Sequence, residues 1–172
     1  MYPVIIRDLL FWFAHYELYT PKWSENIFDE WKDVMVRKGV TEPEAEKRVQ
    51  KANLAFPDAL VKNYSGLIKN LTLPDAKDRH VLAAAIKTNA NVIVTNNLKD
   101  FPQEYLDSFG LTAKSADDFL TDIIDLNSDK AITAFTEMVL SKKNPAMDEF
   151  EVLENLRRNG LNDTANYLHV LL

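Results

Sequence analysis

The chain has 172 residues, 47% of them hydrophobic, with a net charge of −6 and no cysteine. That length and apolar content predict one substantial core, or one domain with a small appendage, and exclude general disorder. The absent thiols exclude disulfides, thiolate catalysis and zinc–thiolate sites, and the acidic balance argues against non-specific coating of nucleic acid while suiting an enzyme that holds divalent cations with carboxylates. In chain order, Leu9, Leu10, Phe13 and Leu18 lie at helical spacing until Thr20-Pro21 ends the pattern. A second helix starts at Ser24, an N-cap residue, and carries Ile27, Phe28, Trp31, Val34 and Met35 to Gly39. Thr41-Glu42-Pro43-Glu44 reads as a third start, with Glu44 at the capping-box position. The stretch to Leu73 mixes helix with a loop around Asn63–Gly66.

Asp75 is placed to cap the next helix, through Val81, Leu82, Ala85 and Ile86, whose Ala83-Ala84-Ala85 run lets it lie close to a sheet. Val92-Ile93-Val94 follows as a continuous β-branched run, the pattern of a strand buried on both faces, so helix then strand predicts a parallel α/β layer. Residues 110–113 add an edge strand, and Ser115 with Asp117 and Asp118 opens a helix through Phe119, Ile123 and Ile124. Asn127-Ser128-Asp129 reads as a boundary, beyond which amphipathic helices run from 129 to 142, from about 147 to 159, and from 162 to the end. Trp12, Trp23, Trp31 and nine phenylalanines are read as core rather than as a base-stacking set.

The chemistry-bearing residues fall in the middle of the chain. Asp75 and Asp78 open one helix, Asp100 follows the buried strand, and Glu30 lies mid-helix earlier. Carboxylates gathered at the C-terminal edge of a parallel sheet give a hard divalent cation the oxygen ligands it needs. Each acid also has a structural explanation: N-cap for Asp75, first-turn acid for Asp78, solvated helix residue for Glu30, turn former for Asp100. Arg79 is a phosphate-contact candidate, whereas His80, a lone helix histidine, is weighed mainly as a surface or interface residue. Thr95-Asn96-Asn97 stands where a strand meets its loop, the usual place for function in open α/β sheets, and Lys77, Lys87 and Lys99 supply a basic rim.

The runs Leu73-Pro-Asp-Ala-Lys-Asp-Arg-His-Val-Leu-Ala-Ala-Ala-Ile86 and Asn91-Val-Ile-Val-Thr-Asn-Asn-Leu-Lys-Asp-Phe-Pro102 closely resemble the PIN-domain family, in its branch of VapC-like bacterial toxin nucleases. Tyr2-Pro3, Arg7-Asp8-Leu9-Leu10, Trp23-Ser24-Glu25 through Glu30 and the Asn144-Pro145 tail resemble the corresponding segments, so the likeness covers nearly the whole chain. The resemblance implies a three-layer α/β/α sandwich on a central parallel sheet, with a PIN-like domain over 1–126 and a C-terminal helical extension over 127–172 packed on it. It further implies an endoribonuclease using Mg²⁺ or Mn²⁺, with an RNA substrate, a cognate antitoxin as partner, and often a homodimer. By matching position Glu30 looks like the second family acid, Asp78 the third with Asp75 beside it, and Asn97 the place of the fourth, for which Asp100 can substitute. Glu30, Asp78 and Asp75 are thus the expected metal ligands, and Arg79, Lys99, Thr95 and Asn96 the expected RNA contacts.

The resemblance also implies a first strand ending in Asp ahead of Tyr2-Pro3, and the sequence begins at Met1. The expectation is an upstream start or a degenerate copy, with little nuclease activity in the chain as written. The rival expectation is a non-catalytic module that binds RNA or protein. No apolar run reaches the ~18 residues of a membrane span and no basic, cleavable leader opens the chain, so a soluble cytoplasmic protein without a membrane partner is expected.

Overall fold

The computed structural model describes residues 3–172; Met1 and Tyr2, and with Tyr2 half of the Tyr2-Pro3 pair, lie outside the described residues. In chain order the elements are α1 (Val4–His15), β1 (Trp23–Ser24), α2 (Glu25–Arg37), α3 (Glu42–Ala55), β2 (Leu60–Val61), α4 (Ser65–Ile68) and α5 (Arg79–Lys87). Then come β3 (Val92–Val94), α6 (Gln103–Asp107), β4 (Thr112–Lys114), α7 (Ala116–Leu126), α8 (Ser128–Leu140), α9 (Glu149–Arg158) and α10 (Asn162–Leu171). The protein is mixed α/β, and its strands pair in parallel as expected: Trp23 stands opposite Leu60 and Ser24 opposite Val61, while Val92, Ile93 and Val94 face Thr112, Ala113 and Lys114. Among the described residues no helix is long and apolar enough to cross a membrane. The described residues divide into two compact units, one of residues 21–114 and one of residues 3–20 with 115–172.

All four strands belong to the first unit. Ser24 ends β1 and caps α2, its Oγ accepting the Ile27 N–H at 3.3 Å. The capping box expected at Thr41 does not form through the threonine side chain, because Glu44 turns one helical turn forward to accept Arg48 Nε at 3.2 Å. Helix α2 buries Phe28, Trp31 and Met35 beside α3, which presents the small Ala45 and Ala52. Trp23 stacks near Phe28 and Phe56, with ring centroids 5.4 and 5.8 Å away. Trp23 and Trp31 are therefore core residues and Trp12 is half-buried.

The polyalanine run of α5 does what its size suggests. Leu82, Ala83, Ala84 and Ala85 are all buried, and α5 touches both β1 and β3. Around it Val61, Leu71, Leu73, Ile93, Phe101, Leu106 and Leu111 close the core. Burial alternates along β3, with Ile93 inside and Val92 and Val94 half-buried, so the apolar run is fully covered on one face only. The pairs β1 and β2 were not signalled by the sequence, since two-residue strands carry no periodicity.

The second unit is helical. Helix α8 packs on α1, α7, α9 and α10, and buries Ala131, Ala134, Phe135 and Met138. Helix α10 has Leu161 at its N-cap, which offers no side-chain acceptor. Asp117 of α7 supplies it instead: its carboxylate accepts Asp163 N–H at 3.0 Å, Thr164 N–H at 2.8 Å and the fully buried Thr164 hydroxyl at 2.6 Å. Asp117→Ala would remove the carboxylate acceptor from all three, leaving the Thr164 hydroxyl only the Asp117 carbonyl at 3.3 Å and the Asp163 N–H to water, and a loss of about 1–3 kcal/mol is expected from urea unfolding. Asp117→Asn, which keeps one carbonyl acceptor, should recover part of it.

Candidate metal centre

Asp75 and Asp78 bracket a 3₁₀ turn, Ala76–Asp78, that runs straight into α5. Side chains three apart eclipse in that geometry, which sets the two carboxylates on one side. Asp75 Oδ1 accepts the Lys77 N–H at 2.8 Å, so Asp75 caps this turn rather than the helix itself. Asp78 stands at the α5 N-cap position without making a capping bond. Asp100 arrives from the other direction, at the end of a second 3₁₀ turn after β3, Leu98–Asp100. Carboxylate oxygens of Asp75, Asp78 and Asp100 all lie within 4.8 Å of one another.

The strand-end loop positions Asp100. Thr95 N–H donates to the Lys114 carbonyl at 2.9 Å, extending the β3–β4 ladder, and Thr95 Oγ1 accepts the Asn97 N–H at 3.1 Å. Asn97 then donates from Nδ2 to Asp100 Oδ2, presenting its amide nitrogen to the carboxylate. Asn96 and Lys99 are exposed on the same loop. Arg79 is half-buried, and its Nε has no hydrogen-bond partner. Glu30 stands outside the three-acid group and is held by a different bond, its Oε1 accepting from His80 Nε2 at 2.9 Å.

Crowding of like charge shows in the Asp78 carboxyl. Burial first, then the charges of Asp75, Asp100 and Glu30, push it above the ordinary carboxylate range, while His80 pulls weakly the other way. Oxygens bound to one Mg²⁺-sized ion at about 2.1 Å each lie within roughly 4.2 Å of one another. The three aspartates therefore need only rotamer-scale movement to share a cation, their donor set is all oxygen, and positive charge there would relieve the repulsion on Asp78. These residues fit a hard divalent ion.

Sequence reasoning passed over His80 and Ser24 as partners of the site. His80 is 7% exposed and Ser24 is fully buried, and the Ser24 Oγ lies 3.2 Å from His80 Nδ1. A signal was present: His80 precedes the buried Ala83 and Ala84 by three and four positions, which puts it on the inward face of α5.

Comparison with known proteins gives three matches. The sequence profile described as PIN domain matches residues 9–99, more than half of the chain, and the one described as VapC50 C-terminal domain matches residues 116–170. Among curated proteins, "Putative ribonuclease VapC50" of Mycobacterium tuberculosis (strain ATCC 25618 / H37Rv) is 41% identical over 80 residues, covering 46% of this chain and 47% of that protein. The match thus spans about half the length of the relative. No solved structure matches.

Proposed function

We propose that this chain, which belongs to the PIN-domain family, is a VapC-like endoribonuclease that depends on Mg²⁺ or Mn²⁺ and acts as the toxin of a toxin–antitoxin pair. The observation that carries the reading is the convergence of Asp75, Asp78 and Asp100 from two separate turns onto one point beside β3. Neither turn needs the other's acid for its own stability, since Asp75 caps within its own turn and Asp78 makes no capping bond. The family and the name of the relative support RNA as substrate and an antitoxin protein as partner.

In this reading Glu30, Asp78 and Asp75 hold the ion, with Asp100 joining them from the strand-end turn. A divalent ion supplies Lewis acidity and positive charge against the scissile phosphodiester. Arg79, half-buried beside the acids, is the residue assigned to a phosphate oxygen, through its guanidinium edge rather than the buried Nε. Lys99, Thr95 and Asn96 line the strand end where the RNA backbone passes, and Asn97 keeps Asp100 turned toward the other acids. The finer architecture belongs to the same proposal: both parallel pairs form part of one central sheet in a three-layer α/β/α sandwich. So do the homodimer and the cytoplasmic setting.

Calorimetric titration with Mn²⁺ tests this directly. The expected result is saturable binding, and any RNA cleavage the chain shows should stop with EDTA. A chain that takes up no Mn²⁺ would shift the reading to a non-catalytic RNA- or protein-binding module.

A further inference from the structure

The structure assigns to His80, braced by Ser24, the role of a positioning residue that fixes the Glu30 carboxylate beside the three-aspartate cluster. The inference rests on the metal-centre reading and adds to it a residue outside the ligand set.

Hydrogen-bond accounting determines how the chain of groups must run. An ionised Glu30 carboxylate can only accept, so His80 Nε2 carries the proton across their 2.9 Å contact. Ser24 Oγ already accepts the Ile27 N–H at 3.3 Å. Its own hydroxyl proton, in a fully buried side chain, needs an acceptor, and His80 Nδ1 at 3.2 Å is one. Every donor and acceptor is then matched by a neutral imidazole in its Nε2–H form. The order is Ile27 N–H to Ser24, Ser24 O–H to His80, His80 N–H to Glu30.

The geometry gives this relay a purpose beyond packing. Glu30 has a side chain 60% exposed and, unheld, would sample many rotamers, whereas His80 is 8% exposed and immobilised from behind. A buried donor thus points an exposed carboxylate. His80 also sits two residues after Asp78, in the first turn of α5, so the bond ties the middle of α2 to the residues that carry the cluster. Hydrogen bonds that orient a metal's ligands typically govern about 10–100-fold in affinity.

Mn²⁺ affinity of the full chain tests the assignment by calorimetry. His80→Phe should weaken binding roughly tenfold, and His80→Gln, whose amide nitrogen can reproduce the Nε2 donor, should stay within about threefold of wild type. In a Glu30→Gln background His80→Phe should cost nothing further, because its effect passes through Glu30. Unchanged affinity in His80→Phe, or an equal loss in both backgrounds, overturns the inference. A wild-type chain that binds no Mn²⁺ rejects the metal-centre reading itself, and this inference with it. Should His80→Phe fail to fold, the imidazole tautomer of the metal-free wild type decides by nitrogen NMR: Nε2–H is required, and Nδ1–H refutes the relay.

Discussion

Asp78→Asn should raise the melting temperature of the metal-free protein and lower it, relative to wild type, once Mn²⁺ is added. The first half follows from the direction of the Asp78 shift. Burial and the neighbouring acids raise its carboxyl in the folded chain above the ordinary value it regains on unfolding. The folded state therefore holds this proton more tightly, so the group's contribution to stability is complete below about pH 3.9 and is lost as pH rises through the raised value. At neutral pH the ionised carboxylate is a cost that the folded state carries and asparagine escapes. Two effects keep the gain small: the carboxylate is largely solvent-screened, and an acid at the N-terminus of α5 is favoured by about 0.3–1 kcal/mol. A rise of roughly 1–2 °C is expected in EDTA at pH 7, vanishing near pH 3.

Metal inverts the order. The wild type gains RT ln(1 + [Mn²⁺]/Kd), about 2.7 kcal/mol when the ion stands at a hundred times Kd. Loss of a ligand should cost at least the ~100-fold at the upper end of what loss of an outer hydrogen-bond partner costs, so the variant gains almost nothing. Differential scanning calorimetry with and without Mn²⁺ reads both signs in one series. A variant that melts below wild type in EDTA would show that Asp78 serves chiefly as a helix-start acid. One that still gains stability with Mn²⁺ would remove Asp78 from the ligand set.

The sequence was informative where a residue's local role and its distant role coincide. Ser24 and Ser115 read as N-caps and are N-caps, accepting Ile27 N–H and Asp118 N–H. The alanines of α5 read as a face for close approach, and α5 does lie against strands on that face. Asn127 illustrates a signal with a narrower meaning than its first reading: its side chain accepts Lys130 N–H, so it starts α8 inside a compact unit. What stayed hidden depends on pairs far apart in sequence. Asp117 looks like a first-turn acid of α7, and only the fold shows its carboxylate serving α10 forty-seven positions later. Glu30 and His80 are fifty positions apart, and no local pattern in either helix encodes their contact. Asp100 is read among the acids at the sheet edge and as a substitute for Asn97; its carboxylate lies within 4.8 Å of those of Asp75 and Asp78, and the Asn97 amide donates to it, a contact the sequence did not signal.

Phe135→Ala should cause one of the largest losses of stability of any single truncation in the helical unit, about 3–5 kcal/mol by urea unfolding. Phe135 is fully buried and sits on α8, the helix that meets each of α1, α7, α9 and α10. Its neighbours on the same face include Ala131 and Ala134, which have no side-chain length with which to fill the space a phenyl ring leaves, beside the longer side chain of Met138. The cavity should therefore persist, and persistence is what moves such a truncation to the upper part of its range. Against a total of about 5–15 kcal/mol for a domain, that is enough to unfold the helices at modest denaturant. Phe135→Leu retains most of the volume and should cost less than about 1.5 kcal/mol. Leu126, at the end of α7 and 81% exposed, gives the contrast, because its truncation to alanine should stay within about 0.5 kcal/mol. If Leu126→Ala proved as damaging as Phe135→Ala, the burial on which the helical unit is argued would be wrong.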